Sequence, residues 1–210
     1  MPGTQTPADS GRREIPSSTL VDAAWHEDLR RLDLAVYAAI AATPTPKLDG
    51  FFRRVSGAAN GSRVWMVTAA ALAAFGGRAG RVAAADGLVS IALASTSVNL
   101  LFKPVGGRRR PNRDTEAVPV ARHVAMPQTT SFPSGHSASA FAFAAGAGHA
   151  LPAVSFPLNL AAAVVAYSRV HTGVHYPADV VAGAVAGAGL APIAVAVLRA
   201  CVPAVPGSGP

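Results

Sequence analysis

Of 210 residues, half are apolar and only 14 % charged, against about 25 % in ordinary soluble domains; the chain has the length of one domain but too little charge for a wholly water-facing surface. The formal charge of +7 points to nucleic acid, an anionic membrane surface or an anionic substrate. Nucleic acid is set aside, because the basic residues lie between apolar segments and no binding module is readable. The lone cysteine, Cys201, excludes an intrachain disulfide.

Residues 1–18 are rich in Pro, Ser, Thr and Gly and hold no apolar stretch of signal-peptide length, so insertion relies on internal helices. A disordered tail is expected over 1–22. Over 23–42, Leu29, Leu32, Leu34, Val36, Tyr37 and Ile40 give a partly amphipathic pattern, an interfacial helix or a short crossing stopped by Thr43-Pro44-Thr45-Pro46. Residues 47–63 suit a helix lying at the surface. Residues 64–75 are apolar and closed by a Gly/Arg-rich stretch. Residues 82–102 form the clearest span, interrupted only by Asp86 and Asn99.

A polar connection, 103–133, follows. Three more apolar helices are expected at 134–151, 154–168 and 178–202, the last tolerating Pro192. Several are short for a bilayer and call for tilt or local thinning. Strand signals and internal repeats are absent. The expected fold is an all-α integral membrane bundle of five to six transmembrane helices, residues 32–42 being the sixth. The embedded domain is expected over 23–202, with a short tail at 203–210.

This topology fixes which helix ends share a side. The span ending at Phe102 delivers Lys103 to one membrane face. The next helix leaves from that face at Ser134, the following one returns to it at Ser168-Arg169, and the last departs from it near Asp179. Three polar clusters converge there: Lys103 through Arg110-Pro111, Pro133-Ser134-Gly135-His136, and Ser168-Arg169 through His175 to Asp179.

Together the clusters resemble, without departure, the three-part signature of the type 2 phosphatidic acid phosphatase (PAP2) family: K-x6-RP, PSGH and SR-x5-H-x3-D. The resemblance covers 103–179. It implies a membrane phosphatase acting on lipid phosphates such as phosphatidate, phosphatidylglycerol phosphate or polyprenyl-linked phosphates, with a site commonly facing outside the cytoplasm.

The residues make chemical sense in those roles. A transferring phosphoryl group spreads charge over oxygens that need cationic donors. Lys103, Arg110 and Arg169 supply them, the arginines with a fork suited to phosphate. Ser134 and Gly135 stand where a helix begins, and unpaired N–H groups make that position an anion site. Asp179, early in the last helix, is placed to hold one nitrogen of His175 protonated and aim the other at phosphorus. His175 then attacks, and His136 protonates the leaving alkoxide. These roles match what the resemblance implies. No metal or other cofactor is called for, because the cationic side chains do the neutralising.

Plainer readings hold for other residues. Arg108 and Arg109 read as headgroup or loop residues, His171 as structural or solvated, and His26, His123 and His149 as background. Asp86 reads as a bland residue near the solvent-accessible far end, and Asn99, one turn before Lys103, as a support for the site. Arg113 and Arg122 suit substrate or lipid equally. Two other functions compete: a non-catalytic anionic-lipid binder, and a vanadate-dependent haloperoxidase, which the apolar spans disfavour. The expected partners are a lipid phosphate substrate and the bilayer of the cell membrane, crossed several times, with the site on its extracytoplasmic side.

Overall fold

The computed structural model describes residues 17–201, so the tails at 1–16 and 202–210 lie outside the described residues. Eight α-helices and no strand occur among them: α1 Ser17–Ala42, α2 Pro46–Ala58, α3 Arg63–Phe75, α4 Gly77–Ser97, α5 Lys103–Gly106, α6 Gly135–Ala150, α7 Ser155–His171 and α8 Pro177–Cys201. α1 begins earlier than the pattern at 23 suggests, since nothing after Pro16 breaks a helix.

Three helical stretches are long and apolar enough to cross a membrane: Gly77–Gly106, Pro152–His171 and Pro177–Cys201. α3, with 13 residues, and α6, with 16, are apolar but shorter than the roughly 20 residues of an ideal crossing. The first of the three is continuous because a π-turn at Val98–Phe102 joins α4 to α5. Pro104 has no N–H for the carbonyl four residues back and would crowd it, and a wider turn relieves this. Lys103 N–H then reaches the carbonyl of Val98.

α6 is the centre of the bundle, packed on α4, α7 and α8. Small residues make this possible. A Cβ on Gly183 would collide with the carbonyl oxygen of Ser134, and one on Gly187 with that of Ala138, so α8 lies directly on the α6 backbone. Trp65 stacks near Phe143 at 5.4 Å and fills the space between α3, α4 and α6. At the end away from the three motifs, Asp86 is only 2 % exposed and bonds Arg199 at 3.0 Å, tying α4 to α8. The expectation of a solvent-accessible Asp86 therefore fails: the small residues around it let α6 and α8 cover the carboxylate.

The end of α1 stays on the motif side. Asp33 accepts the N–H of Ala178 at the start of α8 (2.7 Å), and Arg122 of the long connection caps the carbonyls of Ile40 (3.0 Å) and Thr43 (2.6 Å). α2 lies over the same end, where Asp49 accepts from Arg122 (2.9 Å) and pairs with His171 (3.0 Å). Arg122 and His171 are thus structural members of one buried cluster.

Candidate active site

The turn between α7 and α8 sets the position of His175. Gly173, at φ +69°, reverses the chain, and the N–H groups of Val174 and His175 both bond the carbonyl of Arg169 (3.1 and 3.2 Å). A positive φ is easy only without a Cβ, and here a Cβ would also press on Arg113 and the Tyr37 hydroxyl. Pro177 then starts α8, and Asp179 falls in its first turn.

His175 is 1 % exposed and its two ring nitrogens face different partners. Nδ1 lies 3.5 Å from Asp179 Oδ2 and 3.4 Å from Ser131 Oγ. Nε2 lies 3.2 Å from Arg110 Nη1. A guanidinium only donates, so Nε2 must carry the lone pair and Nδ1 the hydrogen. Burial pushes this imidazole down to about 4; Arg110 and Arg169 push the same way, and the bond to Asp179 opposes them. It is therefore neutral near pH 7, with its lone pair aimed at Arg110.

Asp179, fully buried, is held from four sides. Oδ2 accepts the N–H of Tyr176 (2.9 Å) and the hydroxyl of Ser131, and faces His175. Oδ1 accepts from Arg108 Nη1 at 3.1 Å. The reading of Arg108 as a headgroup or loop residue is therefore replaced: its other arm bonds Asp33 at 2.6 Å, and its guanidinium lies 3.9 Å over the Tyr176 ring.

Arg110 and Arg169 lie within electrostatic reach of His175, and Lys103 meets Arg110 at Thr129. Arg110 also donates to the carbonyls of Val174 (2.8 Å), Thr129 (2.8 Å) and Thr130 (3.2 Å). Burial lowers its pKa, with Asp179 opposing. The Thr129 hydroxyl is shared between Arg110 Nη2 and Lys103 Nζ, each at 3.2 Å. Lys103 bonds Asn99 Oδ1 at 3.0 Å, the support expected of that residue. Arg169 is 1 % exposed; Nη1 binds the Ser56 carbonyl (3.1 Å) and hydroxyl, while Nε is buried without a protein partner.

Ser134 caps α6, its Oγ accepting from Ser137 N–H at 3.4 Å, and its own N–H bonds the carbonyl of Asp179 (2.9 Å). This second link fastens the start of α6 to the start of α8. Gly135 and His136 follow in the first turn and, with Lys103, Asn99 and Ser139, line a cavity of about 190 Å³. His136 Nε2 lies 3.0 Å from Asn60 Oδ1, and its ring is within electrostatic reach of Arg169, His175, Lys103 and Arg110.

All eight residues singled out in the sequence thus meet at one end of the bundle. Sequence reasoning missed Ser56, Asn60, Ser131, Asp33 and the inward role of Arg108, which carry no motif of their own. Beside the cluster, Val105 is 87 % and Leu101 60 % exposed, an apolar surface directly next to Lys103. Among the described residues no group of three or more His, Cys, Asp or Glu is placed to hold a metal ion.

Residues 84–202 match the model of the PAP2 superfamily. Over 101 residues the chain is 37 % identical to decaprenylphosphoryl-5-phosphoribose phosphatase of Mycobacterium tuberculosis, covering 46 % of this chain and 51 % of the relative, in each of two strains. The chain therefore spans about half the length of the curated relatives it matches. Among solved structures, Aquifex aeolicus LpxE superposes with a TM-score of 0.65 at 28 % identity, over 79 % of this chain and 95 % of that one. The first transmembrane PAP2 type phosphatidylglycerolphosphate phosphatase from Bacillus subtilis gives 0.62 at 21 % identity, over 89 % and 94 %, a likeness of fold.

Proposed function

Because the chain belongs to the PAP2 superfamily, we propose that it is an integral membrane phosphatase that removes phosphate from a lipid through a phosphohistidine on His175. One observation carries the reading: a neutral imidazole whose Nε2 lone pair is turned into a nest of cationic donors while Asp179 backs Nδ1. The phosphate oxygens replace Nε2 as acceptors for Arg110 and take up Lys103, the unpartnered Nε of Arg169 and the first N–H groups of α6.

Nε2 of His175 then attacks phosphorus, forming a P–N bond as the P–O bond to the lipid breaks. His136, acting as the imidazolium, gives its Nε2 proton, which faces Asn60 Oδ1 in the resting state, to the leaving oxygen and is left as the neutral imidazole. In the second half, His136 takes a proton from water, the hydroxide attacks phosphorus, the P–N bond breaks and inorganic phosphate leaves. Side-chain cations supply the charge neutralisation, so no metal or organic cofactor enters these steps.

A lipid substrate follows from the place of the site, beside exposed Leu101 and Val105 at the end of a crossing helix. Among lipid phosphates, the relative's activity on a decaprenylphosphoryl sugar phosphate favours a polyprenyl-linked phosphomonoester. We read five crossings, α3, α4 with α5, α6, α7 and α8, inside an embedded unit over 23–202, with α1 and α2 lying across the site end. That end faces outside the cytoplasm and Cys201, exposed at the opposite end of α8, faces the cytoplasm. A membrane-impermeant maleimide on intact cells then leaves Cys201 unlabelled; labelling there reverses the orientation.

The activity test is phosphate release from a panel of lipid phosphates by detergent-solubilised protein. His175→Ala and His136→Ala are expected to lose about 10³-fold or more. Equal rates in wild type and His175→Ala would defeat the proposal and leave an anionic-lipid binder.

A further inference from the structure

Arg108 lies outside the residues that meet the phosphate, yet both of its ion pairs run inward. Its two arms bridge two buried carboxylates 71 and 75 residues away: Asp179 Oδ1 at 3.1 Å and Asp33 Oδ2 at 2.6 Å. Asp33, 7 % exposed, also accepts the N–H of Ala178 at 2.7 Å, so the bridge is anchored on the first turn of α8. The Tyr176 ring supports the guanidinium from below at 3.9 Å. The carbonyl of Arg108 accepts the N–H of Ser131 (2.8 Å), whose hydroxyl bonds the other oxygen of Asp179.

The two oxygens of Asp179 are thereby fixed by Arg108 and Ser131, whose backbones are bonded to each other, and the planar fork is what lets a single side chain hold two carboxylates. Without it, Oδ1 of a fully buried carboxylate has lost its cation, and Ser131 and Tyr176 hold the group by Oδ2 alone. A distance of 3.5 Å from Oδ2 to Nδ1 leaves little margin for any shift of the group.

We propose that Arg108, clamped by Asp33, is a positioning residue for the nucleophile: it holds Asp179 against His175 and so sets the turnover rate without touching substrate. The inference rests on the reading of His175 as the nucleophile. The chain's N-terminal helix α1 thereby becomes part of the active site through one carboxylate.

The charged and titratable groups facing His175 are Asp179 of α8, Arg110 of the connection, Arg169 of α7 and His136 of α6. Arg108 adds a cation behind Asp179. Removing it makes the imidazole easier to protonate, and the acid limb of kcat/KM, which reports the free enzyme, moves up. Removing the Asp33 charge does the reverse.

The test compares Arg108→Gln, Arg108→Lys and Asp33→Asn with His175→Ala in phosphate release, as kcat, KM and pH profile. Arg108→Gln is expected to lower kcat about tenfold or more with KM within about twofold, and to raise the acid limb by about one pH unit. Arg108→Lys returns the limb toward its wild-type position but restores kcat only in part, because one ammonium does not span two carboxylates. Asp33→Asn lowers kcat and moves the limb down. The limb is independent of how much sample is folded, so partial misfolding does not mask it. An unmoved limb in Arg108→Gln, or a raised KM with unchanged kcat, overturns the inference. Full activity in His175→Ala instead overturns the nucleophile on which it rests.

Discussion

Replacing Asp179 by Asn removes a charge while keeping nearly the same shape, and the surrounding donors decide how the amide sits. Ser131 O–H and Tyr176 N–H both donate to Oδ2, so the amide oxygen must occupy that position and the NH2 must replace Oδ1, facing Arg108. Donor then meets donor, and Arg108 loses one of its two carboxylates. The nucleophile keeps its acceptor behind Nδ1, but the positive charge that grows on the imidazole during attack is no longer met by an anion. A hydrogen bond to a charged group is worth about 1.5–3 kcal/mol, and about 1.4 kcal/mol is tenfold in rate. A loss of kcat between about 10- and 150-fold is expected.

The same change in a serine protease triad costs about 10⁴-fold, because the histidine tautomer is wrong. Here the amide oxygen, held at the Oδ2 position by Ser131 and Tyr176, still accepts from Nδ1–H and keeps the lone pair on Nε2 after phosphate has drawn Arg110 away. The smaller loss is therefore a consequence of Ser131 and Tyr176. The assay is phosphate release at saturating lipid phosphate, with circular dichroism to compare the folds. A kcat within twofold of wild type would refute the orienting role of Asp179. A loss near 10⁴-fold would refute the claim that Ser131 and Tyr176 keep the amide oxygen behind Nδ1.

The pH dependence follows from His175, held by burial at about 4 against an ordinary 6.5. The neutral form attacks, so kcat/KM falls only as pH drops through about 4, and a limb near 6.5 would contradict the burial argument. The unfolded chain binds this proton more readily, so stability declines as pH falls from 6.5 to about 4 and no further, by about 3 kcal/mol, seen as a falling Tm. Arg122→Met strips Asp49 of its guanidinium in a fully buried cluster and is expected to cost about 3–5 kcal/mol in thermal unfolding. Gly187→Val places side-chain atoms against the Ala138 carbonyl and is expected to cost about 1–3 kcal/mol or more, with activity falling alongside the folded fraction.

What the sequence reveals of this site is local. Each motif sits within a few residues of a helix end: Lys103 after the span at 82–102, Ser134 and Gly135 at the start of α6, and His175 with Asp179 around the start of α8. Chain order and helix direction are then enough to bring them to one side. Pairings across long separations leave no such trace. Arg108 has the look of a headgroup anchor until Asp33 and Asp179 are found on its two arms. Arg122 and His171 become intelligible only around Asp49, which lies on another helix. Asp86 misleads for a related reason: it stands near the start of the span read over 82–102, whereas α4 begins at Gly77 and Arg199 of α8 pairs with the buried carboxylate.

Asn60 gives the resting molecule an internal stand-in for the departing alcohol. Its side-chain oxygen accepts from Nε2 of His136, so that nitrogen carries its hydrogen before a leaving oxygen arrives to take it. A leaving oxygen that lies where the amide oxygen lies receives that hydrogen along the same line.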